Sequence, residues 1–79
     1  MWEKGTVRIP TENDEIIEIR YCAKVYDVGS IYGIEEGRIS KLTLTQNGRK
    51  VYNYDGGLDS DCQTSEADVA LAILLKKYQ

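Results

Sequence analysis

The chain has 79 residues, 42% of them apolar, which suits one small domain around one core and argues against a disordered chain. Ten basic and 13 acidic residues leave a net charge of −3, which disfavours non-specific binding to duplex DNA. Histidine is absent, and with it the commonest general base near neutral pH and the commonest metal ligand.

Gly5-Thr6-Val7-Arg8-Ile9 alternates polar with apolar and predicts a first strand, stopped by Pro10. A polar turn, Thr11 to Asp14, follows. From Glu15 to Val28 the chain is rich in Ile, Val and Tyr with a period of two. Ile17, Ile19, Tyr21, Ala23 and Val25 share the face expected to be buried, and Glu18, Arg20, Cys22 and Lys24 share the other. The glycine-rich stretch after Val28 reads as a loop that holds at most a short strand at Ile31 to Ile34.

Ile39 to Gln46 predicts another strand, and Asn47-Gly48 is a strong hairpin signal joining it to Arg49 through Tyr54. A two-residue turn sets Gln46 opposite Arg49, Leu44 opposite Val51 and Leu42 opposite Asn53. The other side of that hairpin would then carry Lys41, Thr43, Thr45, Lys50, Tyr52 and Tyr54. Asp55 to Thr64 reads as an acidic loop. Ser65, with Asp68 three residues on, reads as the cap of a helix running to about Lys77. Ala67, Leu71, Leu74 and Tyr78, widened by Ala70 and Leu75, form its apolar stripe, expected on the sheet face bearing Leu42, Leu44 and Val51. Val69 and Ile73 point the other way, either as partly exposed residues or as an oligomer or partner contact. The expected fold is α+β: one domain over residues 1–79, an antiparallel sheet of about four strands with one C-terminal helix on one face, in the order β-β-β-β-α.

The longest apolar run, Val69 to Leu75, is too short to span a bilayer, and Met1-Trp2-Glu3-Lys4-Gly5 lacks an apolar signal core. A cytoplasmic location away from membranes is therefore expected, with Cys22 and Cys62 as free thiols. Two thiols without histidine do not complete a usual zinc site, so no metal or cofactor is expected. Asp55, Asp59 and Glu66 fall at the first, fifth and twelfth positions of an EF-hand-like loop. Gly57 and Ser60 stand where a ligand and the glycine of that loop belong, so calcium is not expected. Serine nucleophiles have no histidine partner, and neither Ser-x-x-Lys nor Gly-x-Ser-x-Gly occurs, so an enzyme is not expected.

In sequence the chain is organised around Val28-Gly29-Ser30-Ile31-Tyr32-Gly33-Ile34-Glu35-Glu36-Gly37-Arg38-Ile39-Ser40-Lys41-Leu42, whose glycines recur every four residues. The stretch has no Gly-Lys-Ser/Thr ending of a phosphate loop and no Gly-x-Gly-x-x-Gly fingerprint. Gly29, Ser30, Tyr32, Gly33, Gly37, Arg38, Ser40 and Lys41 are the candidate ligand-binding residues, able to hold an anion by charge-assisted hydrogen bonds. Tyr52 and Tyr54 are the candidate stacking partners for a base. The competing reading makes the glycines a tight connection and pairs Arg38 with Glu35 or Glu36.

Trp2 with Gly5, then Tyr26-Asp27-x-Gly29-Ser30-x-Tyr32-Gly33-Ile34-x-x-Gly37-Arg38-Ile39-Ser40-Lys41-Leu42, then Tyr54-Asp55-x-Gly57-Leu58-Asp59, carry a resemblance. The chain resembles a family of short uncharacterised proteins found in bacteriophages and in bacteria with mobile elements. The resemblance implies a phage setting in a bacterial host cell, where small acidic non-enzymatic proteins often inhibit host defence. The expected function is therefore non-catalytic binding, to a small anionic nucleotide signal or to a host defence protein in an anti-CRISPR-like manner. The alternative is a structural or regulatory interaction module, in which Val69 and Ile73 form the contact with a partner or a second copy.

Overall fold

Five antiparallel strands in simple up-and-down order form one sheet, and a single helix covers one of its faces. The computed structural model describes all 79 residues. The strands are β1 (Trp2–Pro10), β2 (Ile16–Val25), β3 (Ile39–Gln46), β4 (Arg49–Asp55) and β5 (Leu58–Ser60), and the helix is α1 (Ser65–Lys77). A single 3-10 turn, Ile34–Glu36, lies in the connection between β2 and β3. This is the expected α+β class, with one strand more than the sequence pattern predicts. The added strand, β5, is three residues long and sits in what reads as an acidic loop. The segment from Asp55 to Glu66 is accordingly a turn, an edge strand and a helix entry.

Period-two burial is clearest in β2, where Ile19, Tyr21, Ala23 and Val25 are all buried on the face under α1. Leu42 and Leu44 of β3 join them, and α1 contributes Ala67, Ala70 and Leu74. Ile19, Ile39, Leu42, Leu44 and Leu74 have almost no exposed side-chain surface, and each contributes about 1.5–3 kcal/mol by leaving water. Gly5 lies directly opposite Tyr21, where a Cβ would stand 2.7 Å from the tyrosine hydroxyl. The missing side chain lets the Tyr21 ring lie across β1.

The helix starts one residue earlier than its sequence pattern suggests. Thr64, not Ser65, is the N-cap, and its Oγ1 accepts from the Ala67 amide at 3.1 Å. The same hydroxyl donates to Gln46 Oε1 at 2.8 Å, while Gln46 Nε2 donates to Glu66 Oε1 at 3.2 Å. Gln46, the last residue of β3, thus fixes where the helix begins over the sheet. Gln46 and Ser65 together hold the Glu66 carboxyl below its usual range, with the Ser65 hydroxyl as the larger cause.

The β3–β4 hairpin departs from the simple register. Gln46 pairs Arg49 and Thr45 pairs Lys50, as the Asn47-Gly48 turn dictates, but Leu44 then pairs Tyr52, Thr43 pairs Asn53 and Leu42 pairs Tyr54. Val51 is the extra residue of a β-bulge, and its carbonyl accepts from the Gln63 amide at 2.9 Å. The bulge turns the side chains of Val51 and Tyr52 to the same buried face. A second irregularity leaves Ser40 unpaired between Ile39 and Lys41.

Replacing Leu44, which has no exposed surface, by alanine is expected to lower stability by about 2–5 kcal/mol. Denaturant unfolding would show it, with exposed Glu12→Ala as a control expected within about 0.5 kcal/mol of the parent.

Candidate functional site

The glycine-rich stretch is braced as a rigid turn. The Ser30 amide donates to the Gly37 carbonyl at 3.2 Å, and the Gly33 amide to the Ser30 carbonyl at 3.1 Å. Gly33 lies against the Gly37 backbone so closely that no Cβ could stand there. The 3-10 turn replaces the short strand that Ile31 to Ile34 had suggested. Glu35 and Glu36 both have positive φ, 54° and 59°, a conformation that costs an L residue about 1–2 kcal/mol. Both acids are exposed.

Arg38 does not pair with Glu35 or Glu36. Its Nε donates to the Tyr26 carbonyl at 2.8 Å and its Nη1 to the Gln79 carbonyl at 3.4 Å. Ser40 is the bulged residue of β3; its hydroxyl donates to the Lys24 carbonyl at 3.4 Å, and its own carbonyl accepts from the Gly56 amide at 3.0 Å. Lys41 leaves the stretch altogether and pairs with Asp55 at 3.3 Å on the far face of the sheet. Gly29, Ser30, Tyr32, Gly33, Gly37 and Arg38 are thus brought together as a built turn, while Ser40 and Lys41 belong to β3.

The expected stacking face is corrected by the bulge. Tyr52 is 2% exposed and lies in the core, so it offers no ring to a ligand. Tyr54 is on the same face as Leu42, and its hydroxyl donates to the Tyr32 carbonyl at 3.0 Å, tying the glycine turn to the sheet. Lys41, Thr43, Thr45 and Lys50 remain on the face away from the helix, as the sequence pattern indicated.

Two surfaces result. The first is apolar and lies at one end of the strands. Seven of the ten exposed large apolar side chains, Met1, Trp2, Tyr26, Val28, Ile31, Tyr32 and Leu58, lie on or beside the turn, too concentrated to be the scattered exposure of an ordinary surface. Hydrogen bonds of Tyr26 with Arg38 and of Tyr32 with Tyr54, the pairing of Tyr54 with Leu58 and the backbone pairing of Met1 with Val25 bring these segments to one end of the sheet, with Trp2 on its open-face side. Asp27, Glu35 and Glu36 are exposed around it.

The second surface is the uncovered face of the sheet. Strand registers place Trp2, Lys24, Lys41 and Asp55 in one row across it, then Lys4, Cys22, Thr43 and Asn53, then Thr6, Arg20, Thr45 and Lys50. Arg8 and Glu18 pair at 3.1 Å beyond the third row. The two inner rows carry Lys4, Arg20 and Lys50, and no carboxylate from β1 to β4. Asp59 reaches Asn53 from the β5 edge at 2.9 Å. A shallow depression of about 490 Å³ lies over Lys4, Thr6, Arg20, Cys22, Thr43 and Thr45. None of Trp2, Lys4, Thr6, Arg20 and Lys24 is a candidate from the sequence; alternation in residues 5–9 and in β2 puts Thr6, Arg20 and Lys24 opposite the buried face, while Trp2 and Lys4 precede the expected first strand.

The matching family model is described as "Domain of unknown function (DUF7678)" and spans residues 1–79. The chain belongs to this family. No match was found among curated proteins or among solved structures. No helix is long and apolar enough to cross a membrane. Cys22 and Cys62 are free, and burial, followed by the Asp68 and Asp61 charges, pushes the Cys62 thiol up. Val69 and Ile73 stand 46% and 45% exposed on α1, side by side one turn apart.

Burial raises Tyr52 from 10.0 to about 12. Burial, and secondarily the hydrogen bond with the Tyr21 hydroxyl, raise Tyr78 likewise to about 12. Folded values above unfolded ones mean that these groups stabilise the fold fully below pH 10 and lose that contribution as the pH rises towards 12. Alkaline titration by ultraviolet difference absorbance should show two late-ionising tyrosines, with unfolding transitions weakening across the same window.

Proposed function

We propose that this is a small phage-type protein that inhibits host antiviral defence by binding, without catalysis, and that it acts by occupying a defence effector protein. The concentration of exposed apolar side chains at the braced glycine turn carries this reading. Trp and Tyr anchors are typical of protein contact surfaces, and Trp2, Tyr26 and Tyr32 supply them here. Two consecutive glutamates held at positive φ support the same reading, because such strain persists only where surrounding structure holds it and it clusters at functional sites. A partner complementary to this end would offer an apolar hollow edged by basic side chains. The likeness of the central stretch to short proteins of phages and mobile elements supplies the setting.

Sequestration of a small anionic nucleotide is the less favoured route. Small-molecule sites enclose most of their ligand, and the Arg38 guanidinium that would hold a phosphate already donates from Nε and Nη1 to two backbone carbonyls.

Affinity capture from host lysate with cross-link mapping tests the proposal. The parent chain should retain a host protein through residues 26–36, and Ile31→Asp, at a position 76% exposed, should lose it while staying folded. Retention unchanged by Ile31→Asp would overturn the reading. A nucleotide-induced thermal shift abolished by Arg38→Ala would establish sequestration instead. The double variant Glu35→Gly with Glu36→Gly should gain about 0.5–1 kcal/mol per site in stability, since glycine tolerates positive φ, yet bind the partner less well. The interaction-module alternative rests on the exposed pair Val69 and Ile73. It predicts that Val69→Asp changes the oligomeric state in sedimentation, and an unchanged state removes its support.

A further inference from the structure

We infer that the uncovered face of the sheet is a platform for single-stranded nucleic acid, a second site that borders the apolar end and shares Trp2 and Tyr26 with it. The inner rows of that face hold Lys4, Arg20 and Lys50, none of which makes an ion pair within the chain. The Thr6 and Thr45 hydroxyls stand in the same row as Arg20 and are free to donate to phosphate oxygens. A protein of net charge −3 has thus gathered unpaired cations on one flat surface, which gives that surface a potential opposite to the molecule's own.

The first row adds a stacking element. Lys24 lies directly opposite Lys41 across β2 and β3, and like charges so placed are destabilising. Asp55 relieves Lys41 at 3.3 Å. Lys24 has no carboxylate; its Nζ lies 5.9 Å from the Trp2 ring centre and 5.6 Å from that of Tyr26. Both rings remain about half exposed, Trp2 at 53% and Tyr26 at 46%. Flat aromatic surface beside a lysine is what a nucleobase with its phosphate requires.

Spacing decides between one nucleotide and a strand of several. From Lys4 on β1 to Lys50 on β4 is three interstrand steps and one row along the strands, roughly 16 Å in all, more than one phosphate group can bridge. Duplex DNA fits poorly, because so few cations on a flat sheet neutralise little of its charge. An acidic peptide would meet the cations but leave the Trp2 and Tyr26 rings unused.

Trp2 is the only tryptophan, so its emission reports stacking directly. Titration with oligothymidylate and oligouridylate of about a dozen nucleotides, within the usual range of single-strand sites, should quench it saturably. The log–log salt slope should be about −2, as expected for three phosphate contacts at roughly −0.7 each. Lys50→Glu and Arg20→Glu should each weaken binding about tenfold or more without moving the thermal midpoint, and Trp2→Ala should weaken it about fivefold or more when followed by anisotropy of labelled oligonucleotide. Polyglutamate of similar length is the competing probe. Absence of saturable quenching, or equally tight binding of polyglutamate, overturns the inference; the second outcome would make the face a docking site for acidic protein. Ile31→Asp should leave oligonucleotide binding unchanged, so this test and that of the effector contact fail separately.

Discussion

A single extra residue in β4 decides which side of this sheet its tyrosines face. Val51 has no partner in β3, and the ladder resumes one residue later with Leu44 opposite Tyr52. Side chains alternate along a strand, so this one-residue step moves Tyr52 and Tyr54 together from the open face to the face beneath the helix. The bulged residue is not left unsatisfied, because its carbonyl accepts from Gln63 just before the helix cap. The step that reorients the tyrosines therefore also ties the helix entry to the sheet.

The anchoring of the glycine turn follows from that step. With Tyr52 in the core and Tyr54 on the Leu42 side, Tyr54 can reach the Tyr32 carbonyl and anchor the glycine turn. On the open face the step removes the two tyrosines and leaves Lys4, Arg20 and Lys50, which the other registers place there, among threonines. Charge is divided between the two surfaces, with unpaired bases on the open face and Asp27, Glu35 and Glu36 exposed around the apolar end. A net charge of −3 conceals this division.

Much of the fold is legible in the chain, for identifiable reasons. The odd-numbered residues of β2, the Asn47-Gly48 turn and the Ala67, Ala70, Leu74 stripe are strong periodic or turn signals, and the structure follows them. The bulge at Val51 has no such signal; it shows only in the pairing of β3 with β4 and in the burial of both Val51 and Tyr52. β5 is too short and too polar to stand out, and its existence depends on pairing with Asn53 and Tyr54. The glycine stretch was readable as a special connection, but not the use of Arg38 on the Tyr26 carbonyl, a contact made by the folded chain. The open-face cations were half readable: Arg20 and Lys24 follow from the β2 alternation, whereas their rows with Lys4, Thr6 and Lys50 require the strand registers.

Interstrand backbone proton contacts between β3 and β4, measured by nuclear magnetic resonance, test the bulge directly. The bulged register predicts contacts linking Leu44 with Tyr52 and Leu42 with Tyr54. Contacts linking Thr43 with Tyr52 and Lys41 with Tyr54 would contradict it, returning both tyrosines to the open face and removing the anchor of the glycine turn.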